Sequence, residues 1–213
     1  MPRTELMTML TDYALGALSA SWSVMILWKA RHGARRSVAL WGLGFAGLAL
    51  GSIAAGTYHG FPEALSPSAI TNLWSFVTWA MGIASFLMLC GAVLALSSGF
   101  WRIGLFAAAL IKLTIFAIWV AGRDQYVFVL LDYGSAQLAI LVLAAFAWRR
   151  EHAACAPPLA AGIVVSAIGA LVQQGDFSLH ANFNHNDLYH VIQMLGLYLL
   201  YRGGALFMDR PRI

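Results

Sequence analysis

The sequence predicts an all-α fold, a bundle of seven transmembrane helices with its N-terminus outside and its C-terminus in the cytoplasm. Three observations carry that expectation. The chain is 61% hydrophobic and only 10% charged, and its mean hydropathy is +0.74; such values belong to membrane proteins. Apolar runs near the 20 residues that a span requires recur seven times. The basic residues fall in alternate connections, which is how a membrane helix bundle records its orientation.

The expected spans are 10–31, 38–58, 69–97, 102–121, 126–148, 157–174 and 187–207. The first is too long for a removable leader, and no small-residue cleavage site follows it. The third is long enough to tilt. The sixth is short and opens on Pro157 and Pro158, as a helix start allows. The connections are short, so residues 1–213 read as one integral membrane domain. Any chemistry belongs inside the bundle or at its mouth.

Lys29, Arg31, Arg35, Arg36, Arg102, Arg149, Arg150, Arg202, Arg210 and Arg212 fall on one predicted side, while Arg3 and Arg123 fall on the other. That bias accounts for the net charge of +4 and gives no reason to expect nucleic acid. No protein partner is expected. The partners expected are membrane lipids or an amphipathic small molecule, and the location is an integral membrane protein of a bacterial inner membrane. Cys90 lies in an apolar run and Cys155 in a connection. They make neither a disulfide framework nor a zinc ribbon.

Ionisable groups gather at the predicted outer end. Asp12 opens span one, His59 closes span two, and Asp132 lies a few residues into span five. His180, His185, Asp187 and His190 surround the entry to span seven. Such groups are expensive in hydrocarbon and need a partner, water or a metal. Ser52 stands two turns before His59 on nearly the same face. Asp187 and His190 are three apart and share a face. Metal ligation by His59, His190 and either His185 or Asp187 would leave a position for water, as catalytic zinc sites do. The alternatives are structural. His59 can end its helix among headgroups, Asp187 and Asp12 can cap helix starts, and Asp132 can pair with Lys112.

The histidine at the end of span two and the "HNDLYH" entry to span seven resemble the alkaline ceramidase-like superfamily, in a bacterial branch. That group includes alkaline ceramidases and the progestin and adiponectin receptor-type membrane proteins. The resemblance implies a zinc site with His59 and His190 among its ligands, an assisting serine and aspartate, and hydrolysis of an amide or ester in a lipid-like substrate. In that reading Asp12, Ser52 and Asp132 are the candidate catalytic residues, and the bundle interior holds an acyl chain. Asn186 stands four residues before His190, where a second histidine would be expected, so the third ligand is left to His185 or Asp187. The competing reading is a non-enzymatic receptor-like or lipid-binding bundle. A small transporter ranks below both, and a retinal pump is disfavoured because span seven lacks a lysine.

Overall fold

The computed structural model describes residues 5–33, 35–123, 125–180 and 183–210. Arg3 and Arg212 lie outside them. Seven helices follow the order of the predicted spans: α1 (Leu6–Gly33), α2 (Arg36–Gly60), α3 (Pro67–Leu96), α4 (Gly99–Val120), α5 (Val127–Glu151), α6 (Ala156–Gln174) and α7 (His185–Gly204). The first six are long and apolar enough to cross a membrane, which makes this an integral membrane protein. α7 has the length, but its first turns carry His185, Asn186, Asp187 and His190, which lower its hydropathy.

Six of the helices close into a ring. α1 packs on α2, α2 on α3, α3 on α5, α5 on α6, α6 on α7, and α7 back on α1. α4 stands outside the ring against α3 and α5. It buries Ala109, Phe116 and Val120 and leaves Ile103, Leu110, Ile111 and Ile118 exposed, as a lipid-facing helix should.

α6 and α7 pack backbone to backbone. A Cβ on Gly162 would sit 2.9 Å from both the Gly196 carbonyl oxygen and the Leu200 nitrogen. Only glycine lets the two backbones approach so closely, as small residues do between membrane helices. Trp41, Phe45, Met88, Leu159, Leu200 and Phe207 fill the opposite half of the interior. Trp41 donates from Nε1 to the Leu200 carbonyl at 3.1 Å, so its polar atom is satisfied there.

The helix starts follow local chemistry. Ser66 caps α3 by accepting the Ala69 N–H at 3.2 Å, and Pro67 takes the first turn. α2 lacks a cap from its own Arg35. Asp209, beyond α7, supplies it instead. Its carboxylate accepts the N–H groups of Arg36 at 2.8 Å and Ser37 at 2.9 Å, and the Ser37 hydroxyl as well. Burial alone would raise this carboxyl, but the hydrogen bonds from Ser37 and Arg36, with the Arg36 charge, outweigh it and hold it below the usual range. Arg210 then donates to the Ala95 carbonyl at 2.9 Å and pairs with Glu151. The expected end of span seven at 207 gives way to this strap, because Gly204 ends the helix and the chain turns to cap α2.

Candidate functional site

The starts of α1, α3, α5 and α7 meet the ends of α2, α4 and α6 at one end of the bundle. Two adjoining cavities near that end form the site. The first is about 210 Å³ and is the more polar of the two, with Asp12, His59, Gln173 and His190 in its wall beside Trp74 and Tyr126. The second is about 330 Å³, nearly all apolar, and lies deeper between α5, α6 and α7. Leu15, Ser52, Met81, Tyr126 and Tyr189 line both, so the two adjoin across one shared wall. The deep lining runs along α5 from Val129 to Leu141, about 18 Å at the rise of an α-helix. Gly134 and Leu138 of α5 and Val164 and Ala167 of α6 line it while remaining exposed. The chamber therefore opens sideways between these two helices.

The polar wall is built by matched spacing on two helices. Thr8, Thr11 and Asp12 on α1 face Asp187 and His190 on α7. Thr8 Oγ1 donates to Asp187 Oδ1 at 2.8 Å. Thr11 Oγ1 lies 2.9 Å from His190 Nδ1. His190 Nε2 lies 3.4 Å from Asp12 Oδ1. Thr11 and Asp12 follow Thr8 by three and four residues, and His190 follows Asp187 by three, so each set lies on one side of its helix.

Thr11 Oγ1 also lies 3.0 Å from the carbonyls of Met7 and Thr8. An imidazole that meets a hydroxyl at one nitrogen and a carboxyl at the other is held in orientation and can pass a proton along that line. Among the described residues, Asp12 Oδ2 is buried and has no hydrogen-bond partner.

Asp12 is not a helix cap. α1 begins at Leu6, four residues before the expected span start, so Asp12 lies in the second turn and is 3% exposed. Asp187 does act as one. Its Oδ2 accepts the Asn184 N–H at 2.8 Å, while Asn184 Oδ1 accepts from Asn186 and Asp187, forming a capping box. With Thr8 on Oδ1, both oxygens of Asp187 are engaged. His59 reaches the polar cavity, and its Nδ1 lies 3.2 Å from Glu5 Oε2. His185 turns away to Asp176 at 3.6 Å. Ser52, 3% exposed, sits at the junction of the cavities. Asp132 lines neither of them. It pairs with Lys112, which also donates to Ser85 at 3.0 Å.

Of the four expected metal ligands, His59 and His190 share the cavity, while His185 and Asp187 are committed elsewhere. Among the described residues, no three His, Cys, Asp or Glu side chains are grouped to hold a metal. The donor set expected for zinc does not fit as it stands. The sequence reading did not single out Thr8, Tyr126 or Tyr189.

A family of unknown function, DUF6962, matches residues 7–209. The chain belongs to DUF6962. No curated protein and no solved structure matches it. The match spans all seven helices of this DUF6962 protein, so the family covers the ring, the threonine–histidine wall and the Asp209 strap together. It carries no link to the alkaline ceramidase-like proteins.

Proposed function

We propose that the protein binds one amphipathic, lipid-like molecule, with its polar end beside Asp12, His190 and Gln173 and its apolar part in the deeper chamber. One observation carries this reading: a polar cavity and an apolar chamber adjoin inside the ring and share a wall. A volume of about 330 Å³ lies at the lower end of ligand cavities and suits a single chain. The sideways opening between α5 and α6 lets such a molecule arrive from the bilayer. The test is saturable binding of radiolabelled stearyl alcohol to the purified chain in nanodiscs. Ala170→Trp, which fills the chamber, should abolish it; equal binding by that variant refutes the reading.

The His190–Asp12 contact in the wall of the polar cavity favours a second reading, hydrolysis of an amide or ester at the polar end. The dyad would give or take the proton at the reacting atom, next to Ser52. This reading extends the resemblance to the alkaline ceramidase-like group and needs no step through a metal. Release of fatty acid from N-acyl and O-acyl probes, abolished by Asp12→Asn, would support it; no release by the folded protein sinks it.

The cavity end is assigned to the outside of a bacterial inner membrane. Lys29, Arg31, Arg35, Arg36, Arg102, Arg149, Arg150, Arg202 and Arg210 all lie toward the opposite end, which supports that assignment. Labelling of cysteines introduced at Glu63 and at Arg150 in intact cells tests it.

A further inference from the structure

The apolar chamber contains a polar feature that a pure hydrocarbon site would not need. Gln137 of α5 and Ser166 of α6 line it and are 7% and 8% exposed. Among the described residues, Gln137 Oε1 and Ser166 Oγ are both buried without a hydrogen-bond partner. Buried polar groups in proteins are almost always paired, so two orphans in one wall require an explanation.

Gln137 Oε1 is an acceptor, and Ser166 Oγ is a hydroxyl that either donates or accepts. Leu138, Leu141, Ile163 and Leu197 line the chamber with them, and Tyr133 and Gln193 are further polar side chains in its lining.

Resting on the amphiphile reading above, we propose that Gln137 and Ser166 form a second binding station, which selects a single-chain amphiphile carrying a hydroxyl within its chain. The chain hydroxyl donates to Gln137 Oε1 and accepts from Ser166 Oγ. A plain alkyl chain would occupy the same space but leave both protein atoms unpaired. A site built to hydrogen-bond a hydroxyl discriminates strongly against the analogue that lacks it.

The test compares stearyl alcohol with its mid-chain hydroxylated analogue on the full-length protein in phosphatidylcholine nanodiscs. The hydroxylated compound should bind more tightly, by about fivefold for one or two neutral hydrogen bonds. Gln137→Met keeps the volume and removes the acceptor. Replacing a buried amide whose oxygen has no partner by an apolar group should cost little in folding, and a thermal melt checks this. In Gln137→Met the preference should vanish or reverse, while stearyl alcohol binding stays equal or improves. Ser166→Ala should reduce the preference partially. Equal binding of both alcohols by the unaltered protein overturns the station but leaves the amphiphile reading standing. Binding of neither overturns both.

Discussion

Lys112→Met should destabilise the protein strongly, and Asp132→Asn in the same chain should restore most of the loss. The Asp132 side chain is 2% exposed and that of Lys112 19%. Lys112 binds Asp132 Oδ1, while Oδ2 has no partner. Removing the ammonium strands a carboxylate among apolar helices, a change that typically costs about 3–5 kcal/mol. For a chain of this size that loss corresponds to a melting shift of about 6–20 °C. Cys90 and Cys155 are both free and buried, so a thiol-reactive dye reports unfolding directly. Lys112→Met should melt well below the unaltered protein at pH 7, and the double variant should recover most of the difference. A Lys112→Met protein that melts with the unaltered one at pH 7 refutes it, and would return Asp132 to the list of catalytic candidates.

Gly162→Val should separate α6 from α7, because its Cβ would press on the backbone at Gly196 and Leu200; the expected loss is about 1–3 kcal/mol in a thermal melt. Gly104→Ala is the control, since nothing lies within 4 Å of a Cβ there, and it should gain up to about 1 kcal/mol from helix propensity. Asn184→Ala removes the cap of α7 and should cost about 1 kcal/mol, read by the same melt. Asp209 is held below the usual carboxylate range, so its contribution is complete above that range and is lost as pH falls through its lowered value. Asp209→Asn should accordingly weaken the neutral-pH melt and reduce its loss on acidification. Elemental analysis of the unsupplemented protein should find less than one zinc per chain, and a stoichiometric content lost in His59→Ala would restore the metal site.

The helices were legible in the sequence because length and apolarity are properties of single segments. All seven expected spans overlap observed helices, and the ends moved by only a few residues. The Lys112–Asp132 pair was legible too, since two lone charges at matching depth in neighbouring spans have few other partners. His59 and His190 stood out for a similar reason. What sequence could not supply was the order of helices around the ring. That order decides that Asp132 faces α4 and that Asp187 faces Thr8. The threonines were invisible because a helical threonine ordinarily bonds its own preceding turn, as Thr11 also does. Their second role appears only when α1 and α7 are in register. The capping alternative for Asp12 fails because α1 begins at Leu6, ahead of the expected span start. The orphaned Gln137 and Ser166 carry no sequence signal at all, since membrane helices use glutamine and serine to bridge one another.

Photolabelling tests the central claim most directly. A stearyl alcohol bearing a diazirine at its chain end, added to the protein in nanodiscs and irradiated, should attach to the deep wall at Leu48, Leu141 or Leu197. Excess unlabelled alcohol should remove that attachment, and Ala170→Trp should prevent it. Labelling confined to the exposed face of α4, at Ile111 or Ile118, and unaffected by competitor would show a lipid touching only the outside of the bundle, and would contradict the account.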